Sequence, residues 1–226
     1  MKSKILIILG AIIFCSCVPT HIRETPELPF ESFVRIDTAR HEANCFTCIL
    51  ESGVGSGAII TSNKVLTAGH VCAGMRTMVN NADQSEVLDK VTVLIQDDAG
   101  SIYGATEINI HTTSDLCLIT TDRTMLPPPI PLAASNPPRG KRVWSLMAPD
   151  GMSGKGLTPV VSGHFAGSDS VLSLFTIPAS PGASGGPILN ADGELIGLVS
   201  QINRTFHHLV ISPSVTMVRD FVLSSE

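Results

Sequence analysis

The stretch Ser180-Pro-Gly-Ala-Ser184-Gly-Gly-Pro187 is the most specific feature of this 226-residue sequence. It places Ser184 among small residues. A nucleophilic serine needs its hydroxyl exposed on a tight turn, and small neighbours let a substrate backbone approach it. The glycines also leave backbone N–H groups free to face a developing oxyanion. Because turns of this composition are common in β-proteins, the stretch needs support from elsewhere in the chain.

Two earlier segments supply that support. Leu66-Thr-Ala-Gly-His70 places a histidine just after a predicted strand, where it could act as a general base. Ser114-Asp115-Leu-Cys-Leu-Ile119 places an aspartate at the start of a buried strand, where it could orient an imidazole. A lone histidine is more often structural, and an aspartate before a strand is more often a turn residue. The order His70, Asp115, Ser184, each beside a strand pattern, predicts a catalytic triad.

The composition favours short strands joined by turns. The chain is 43% hydrophobic and only 15% charged, with 19 Gly and 15 Pro. These values argue against a coiled coil and against a disordered protein. The formal net charge of −5 gives no basic footprint, so the sequence predicts no nucleic-acid partner.

Strand-like runs bounded by Gly, Asn and Asp occur in both halves of the chain. A proline-rich segment over 126–140 separates the halves and cannot sit inside a strand ladder, so it is interpreted as a connector. Five such runs stand out on each side of the connector, and a layout of six or so strands on each side favours two packed β-barrels or one large sandwich. The predicted strands are 56–61, 64–68, 91–95, 102–110, 116–120, 142–147, 158–163, 171–177, 194–201 and 206–211.

A helix is expected at the C-terminal end. Ser212 is a good N-cap, and Pro213 is suited to the first helical position. Four apolar residues then recur at helical spacing, which predicts one buried face. They are Val215, Val218, Phe221 and Val222.

The three chemical segments together resemble those of the chymotrypsin-fold serine endopeptidases, and most closely the bacterial trypsin-like branch that includes HtrA-type proteases. Thr67-Ala-Gly-His70 is similar to the family's histidine segment, 115–119 to its aspartate strand and 181–187 to its nucleophile loop. The resemblance implies an all-β fold of two six-stranded antiparallel β-barrels with a short C-terminal helix. It implies cleavage of protein or peptide substrates through an acyl-enzyme, with no cofactor and no metal.

The resemblance also implies a division of the chain and a set of binding groups. The first barrel is expected over 41–125, the connector over 126–140 and the second barrel over 141–226. The backbone N–H groups of Gly182 and Ser184 are expected to form the oxyanion hole. Ala183 stands where digestive relatives carry an aspartate, so no activation by a newly cut N-terminus is expected. The substrate pocket is expected to include Pro178, Ala179, Val199, Ser200 and Gln201.

The nature of the pocket residues suggests a preference. Pro178 stands where an aspartate would select arginine or lysine, and Val199 stands where some glutamate-specific relatives carry histidine. The default expectation is a small or medium apolar residue before the cleaved bond.

Four cysteines lie beyond the leader, namely Cys45, Cys48, Cys72 and Cys117. From the residues alone, three full connectivities are open, and so is a zinc site at the Cys45-x-x-Cys48 pair. The resemblance implies that Cys72 pairs with Cys45 or Cys48, and a Cys48–Cys72 disulfide is the expected pair. Cys117 is then expected to be a free buried thiol.

The first sixteen residues are interpreted as a signal peptide. The apolar run 5–14 follows two lysines and is too short to span a bilayer. Phe14-Cys-Ser-Cys17 resembles a lipoprotein cleavage box, so Cys17 is a candidate for lipidation, while ordinary cleavage and an uncleaved anchor remain alternatives. Residues 17–40 are then expected to be a tether. The protein is expected in the cell envelope or periplasm, held at a membrane only through a lipid on Cys17. Without lipidation, it is expected to be secreted. The oligomeric state stays open.

Two other functions compete with a protease. Gly182-Ala-Ser-Gly-Gly186 also fits the serine elbow of α/β-hydrolases, but that fold needs the acid and the histidine after the serine. Only 42 residues follow Ser184, and Pro187 opposes the helix that the elbow requires. A non-catalytic relative that kept the fold as a binding or scaffold module on the cell envelope remains the main alternative.

Overall fold

The computed structural model describes residues 26–42, 45–73, 90–111, 113–203, 205–206 and 208–225. Six strands of the first half form a closed antiparallel barrel in the order β1-β2-β3-β6-β5-β4. They are β1 (Phe33–Glu42), β2 (Cys45–Thr61), β3 (Lys64–Thr67), β4 (Lys90–Asp97), β5 (Ile102–Ile110) and β6 (Cys117–Thr121).

Alternating apolar residues build the interior of this barrel. In β1, Val34 and Ile36 are fully buried while the residues between and after them are more exposed. They pack with Ile59, Val65 and Ile119 from the neighbouring strands. The expected tether boundary at residue 40 is therefore wrong: the barrel begins at Phe33, because this alternation already forms a paired strand there.

The second half is a curled sheet of seven strands in the order β11-β10-β7-β8-β9-β13-β12. Its strands are β7 (Arg142–Leu146), β8 (Val160–Ser168), β9 (Leu172–Phe175), β10 (Pro187–Leu189), β11 (Leu195–Leu198), β12 (Gln201–Ile202) and β13 (Val210–Pro213). The expected all-β, two-barrel fold class is confirmed, although this half is not a six-stranded closed ladder. The backbone N–H of Leu198 in β11 donates to the side-chain oxygen Oγ of Ser212 in β13 at 3.0 Å. In a closed barrel, these two strands would instead be joined by hydrogen bonds between backbone groups.

Helix α1 (Val215–Leu223) packs against this sheet. All four predicted apolar positions, Val215, Val218, Phe221 and Val222, are buried. The predicted N-cap at Ser212 is wrong, because Ser212 and Pro213 end β13 and pair with β9. Ser214 is the N-cap, and its hydroxyl accepts a hydrogen bond from the backbone N–H of Met217 at 3.3 Å.

Residues 126–140 form no regular strand and cross between the two halves. The Ile130 N–H donates to the carbonyl of Ile59 in the first barrel at 2.8 Å, and the Ala133 N–H donates to that of Leu195 in the second sheet at 3.0 Å. Across the described ranges no helix is long and apolar enough to cross a membrane. The leader and Cys17 lie outside those ranges.

The cysteines pair differently from the expectation. Cys72 bonds to Cys117, and Cys45 bonds to Cys48. The expected Cys48–Cys72 disulfide is wrong, as are the free Cys117 thiol and the zinc alternative. The reason is the register: Thr67 of β3 pairs with Cys117 of β6, so the turn after β3 brings Cys72 above the start of β6. Cys45 lies at the far end of the β1–β2 hairpin, opposite Glu42.

Loss of the buried disulfide should weaken the fold. For the Cys72→Ser/Cys117→Ser variant we expect the free energy of unfolding to fall by about 3–4 kcal/mol, because the bond closes a long loop in the unfolded chain. Urea unfolding followed by circular dichroism measures this. The Cys45→Ser/Cys48→Ser variant is the matched control and should lose less, since its two cysteines are only three positions apart in the chain. Equal losses in the two variants would contradict the loop argument.

Candidate active site

The pairing of β3 with β6 brings His70 and Asp115 together. Thr67 and Cys117 are opposite each other in this antiparallel ladder. The residues just after β3 therefore lie beside those just before β6. Gly69 makes the approach possible, because a methyl group there would lie 3.0 Å from Asp115 Oδ1.

Both oxygens of the Asp115 carboxylate contact the histidine. Oδ2 lies 2.8 Å from His70 Nδ1, and Oδ1 accepts the His70 backbone N–H at 2.7 Å. A carboxylate can only accept, so the ring hydrogen sits on Nδ1 and leaves the Nε2 lone pair free to take a proton. The His70 side chain is 50% exposed, so its outer edge is open to a substrate.

Ser200 completes the environment of the carboxylate. Its hydroxyl donates to Asp115 Oδ2 at 2.5 Å. Burial raises the pKa of Asp115, but the hydrogen bonds from His70 and Ser200 oppose it, and the net pKa lies below that of an ordinary aspartate. Asp115 is therefore ionised at neutral pH and can stabilise a protonated imidazole.

The loop that carries Ser184 docks against the first barrel. The Ser184 carbonyl accepts the backbone N–H of Ser56 in β2 at 2.8 Å. A methyl group at Gly55 would lie 3.5 Å from that carbonyl oxygen and 2.9 Å from a methyl carbon of Val71. The nucleophile segment and the residue after His70 thus adjoin the same glycine. Ser184 itself is half-buried, and its neighbour Ala183 is fully buried.

Gly185 shows how close this docking is. Its φ is +85°, and a methyl group on it would lie 2.1 Å from the carbonyl oxygen of Ser56 and 3.0 Å from the backbone nitrogen of Ala68. Only glycine fits this backbone conformation and this gap. The chain after Ser184 is thereby held against β2 and against the end of β3, which stops at Thr67, three residues before His70.

Ser56 supports the candidate site through buried contacts, and the sequence interpretation missed it. It is fully buried in β2, its hydroxyl donates to the Gly182 carbonyl at 2.8 Å, and it accepts the Ala148 N–H at 2.9 Å. One side chain of the first barrel thus joins two loops of the second half. The only sequence signal was its place between Gly55 and Gly57, where small neighbours allow a close approach.

The N–H groups of the predicted oxyanion hole are oriented by hydrogen bonds to the carbonyl groups on the other side of the same peptide units. The Pro181 carbonyl accepts the N–H of Asp150 at 2.6 Å, and the Ala183 carbonyl accepts the N–H of Gly186 at 2.9 Å. Because C=O and N–H point in opposite directions across a trans peptide, the N–H groups of Gly182 and Ser184 point away from these bonds. Within the described ranges neither N–H donates to a protein acceptor.

Gly182→Ala should damage this arrangement. The φ of Gly182 is +88°, and an added methyl group would lie 2.4 Å from the Ala148 carbonyl oxygen. We expect peptidase turnover to fall by about 10²–10³-fold, the usual effect of losing one oxyanion donor. Kinetics on a chromogenic peptide measure this, with Gly140→Ala as control, since a methyl group there meets nothing within 4 Å. A wild-type kcat in Gly182→Ala would refute the assignment.

The predicted pocket residues lie beside this loop in different environments. Pro178 and Ala179 are half-buried, and Gln201 is exposed. The Val199 side chain is fully buried in the second core, and its backbone exchanges hydrogen bonds with Gly185 and Gly186. The Ser200 hydroxyl is committed to Asp115 and its N–H donates to the Ile211 carbonyl at 3.2 Å, so the Ser200 carbonyl is the group left for a substrate.

The sequence over residues 55–198 matches the profile of the trypsin-like peptidase domain. The chain belongs to the trypsin-like peptidases. The match spans the candidate residues His70, Asp115 and Ser184, and its start at Gly55 coincides with the part of β2 that docks the nucleophile loop. No curated protein matches this peptidase chain.

Solved structures share the fold of the trypsin-like peptidase chain. A serine endoprotease from Yersinia pestis is 18% identical, with a TM-score of 0.65 over 87% of this chain and 63% of its own. The HtrA-type protease AlgW, solved with a tripeptide, is 17% identical, with a TM-score of 0.66 over 86% and 60%. A protease of M. tuberculosis in its active form is 19% identical, with a TM-score of 0.62 over 85% and 79%. The chain spans less than two thirds of the first two proteins, and identities this low establish the fold alone.

Proposed function

We propose that this chain is a serine endopeptidase that hydrolyses peptide bonds through Ser184, His70 and Asp115. The observation that carries the proposal is the His70–Asp115 hydrogen bond of 2.8 Å beside a loop that presents Ser184 and two unbonded N–H groups. A histidine base held by a carboxylate, next to a serine and an oxyanion site, is the arrangement that acyl transfer requires.

The proposed mechanism has two halves. In acylation, Ser184 Oγ attacks the peptide carbonyl carbon while His70 Nε2 takes the hydroxyl proton, and the N–H groups of Gly182 and Ser184 stabilise the oxyanion. The imidazolium then gives its proton to the leaving amine. In deacylation, water gives a proton to His70 as its oxygen attacks the acyl carbon, and His70 then returns that proton to Ser184 Oγ as the ester bond breaks and the acid leaves. In both halves, Asp115 stabilises the protonated imidazole of His70 and keeps a hydrogen on His70 Nδ1.

The surroundings of the site support a peptide as the substrate. β12, at Gln201–Ile202, is the last strand of the sheet order and follows Ser200, whose hydroxyl contacts Asp115. An extended peptide can add to such an edge through backbone hydrogen bonds. Ala179 and Ile202 are half-buried and pack on the second core, which favours a small or medium apolar residue before the cleaved bond.

The proposal extends to the location of the chain. It is supported by the leader sequence and by the two disulfides, which form in oxidising compartments outside the cytosol. We infer export to the cell envelope and lipid attachment at Cys17. Expression with a radiolabelled fatty acid should label the full chain but not a Cys17→Ser variant; equal labelling of both would contradict lipidation at this residue.

Cleavage of a peptide library tests the proposed activity. The wild-type chain should cut internal peptide bonds with an apolar preference, and prior treatment with a fluorophosphonate should abolish the cutting. A metal chelator is the control and should have no effect. Failure of the folded chain to cut any peptide would favour the alternative of a non-catalytic binding or scaffold module. Cutting that survives the fluorophosphonate would contradict the serine mechanism.

A further inference from the structure

An unusual backbone conformation lies next to the nucleophile loop. In the 3-10 turn Pro149–Gly151, Asp150 has φ +50° and Gly151 has φ +76°. Asp150 is the only residue other than glycine with positive φ among the described residues. This region is disfavoured for residues with a Cβ and persists only where surrounding contacts hold it. The Asp150 side chain is exposed and accepts a hydrogen bond from the Ser180 hydroxyl at 3.4 Å, while its backbone makes a shorter contact.

The Asp150 backbone touches the oxyanion site. Its N–H donates to the Pro181 carbonyl at 2.6 Å, and this carbonyl belongs to the same peptide plane as the N–H of Gly182. If this plane rotated, the Gly182 N–H would turn away from the substrate. Ala183 is an uncharged residue, so no ion pair of that residue can fix the loop.

Arg35, from strand β1 of the other barrel, holds the turn from the far side. Its Nη1 donates to the Gly151 carbonyl at 2.6 Å and to the Ser153 carbonyl at 3.3 Å. Its Nε and Nη2 donate to Asp37 Oδ1 at 2.9 and 2.6 Å. The Arg35 side chain is only 25% exposed. A guanidinium group suits this use, because its planar fork serves an acceptor on each side at once.

We propose that Arg35 is a positioning residue for the oxyanion hole. It acts in steps along the turn: Asp37 orients the guanidinium, the guanidinium fixes the Gly151 carbonyl, and the N–H of Asp150, the preceding residue of the same turn, fixes the Pro181–Gly182 peptide. This proposal rests on the proposed peptidase function. The new element is that a residue of the first strand, distant from the triad in sequence, controls how tightly the transition state is bound.

Kinetics of Arg35→Met give the first test. We expect kcat to fall about 10- to 100-fold with KM within about twofold, because an oxyanion donor acts mainly on the transition state. Affinity for a peptide aldehyde, which forms a tetrahedral oxyanion with Ser184, should fall by the same factor as kcat/KM. Arg35→Lys should recover part of the loss, since one ammonium can still reach a carbonyl. Arg139→Met is the matched control, because Arg139 is exposed and donates to the Ala166 carbonyl at 2.8 Å.

Hydrogen exchange gives a second test that needs no activity. The Asp150 N–H should be protected in the wild-type chain and in Arg139→Met, and should exchange at least ten times faster in Arg35→Met. If the wild-type chain cuts no peptide, the peptidase proposal fails while exchange at Asp150 still decides the role of Arg35 in holding the turn. Urea unfolding identifies any general loss of folding. A folded Arg35→Met with wild-type kcat and a protected Asp150 N–H would overturn the proposal.

Discussion

Replacing Ser184 with alanine should lower turnover by about 10⁴- to 10⁶-fold, the loss seen when a serine nucleophile is removed and only the oxyanion site and binding remain. The change removes one oxygen from a half-buried side chain. The backbone bonds that hold the loop, from Ser56 to the Ser184 carbonyl and from Ser184's neighbours to Val199, do not involve that oxygen. KM and folding should therefore change little while kcat collapses.

Peptide kinetics with active-site titration measure this loss. Ser135→Ala is the control, because Ser135 is exposed in the connector and should keep wild-type turnover. Residual turnover in Ser184→Ala within about tenfold of the wild type would mean that another group is the nucleophile.

Asp115→Asn should lower kcat by about 10⁴-fold, with the fold retained. The shape of the side chain is kept, and asparagine can still accept the His70 backbone N–H that Asp115 Oδ1 accepts at 2.7 Å. Its amide group, however, would donate to His70 Nδ1. The ring hydrogen would then move to Nε2, which could no longer take the serine proton.

Asp169→Asn is the matched control for this change. Asp169 also accepts two backbone N–H groups, from Val171 and Leu172, and its pKa is also lowered, by those hydrogen bonds. It lies far from the histidine in sequence and is a loop carboxylate of the second half. Asp169→Asn loses only the charge of a hydrogen-bonded carboxylate, whereas Asp115→Asn also changes the tautomer of His70. Comparing the two variants therefore separates these effects. A kcat in Asp115→Asn equal to that of Asp169→Asn would remove Asp115 from the mechanism.

The part of the site that could be predicted from the sequence lies within local strand patterns. His70 follows a strand and Asp115 precedes one, and the antiparallel pairing of those strands is enough to bring them together. Helix α1 also followed from its spacing. The start of the helix was predicted wrongly because a local pattern was overridden by strand pairing. Ser212-Pro213 favours a helix start by itself, but both residues pair with β9, which extends the strand to Pro213.

The contacts that support the site could not be predicted, because each joins residues far apart in the chain. Ser56 reaches Gly182 across 126 positions, and Arg35 reaches Gly151 across 116. Neither residue belongs to a motif of its own. The Cys72–Cys117 disulfide depends on which strands are neighbours, and four cysteines in a sequence do not contain that information.

Labelling with a fluorophosphonate probe, followed by mass spectrometry of the digested protein, tests the central claim most directly. The probe reacts with a serine only where a base activates it and an oxyanion site receives the phosphoryl oxygen. We predict one adduct, on the peptide that contains Ser184, present in the wild-type chain and in Ser135→Ala, strongly reduced in His70→Ala and absent in Ser184→Ala. A folded wild-type chain with no adduct, or with its adduct on another serine, would contradict the account.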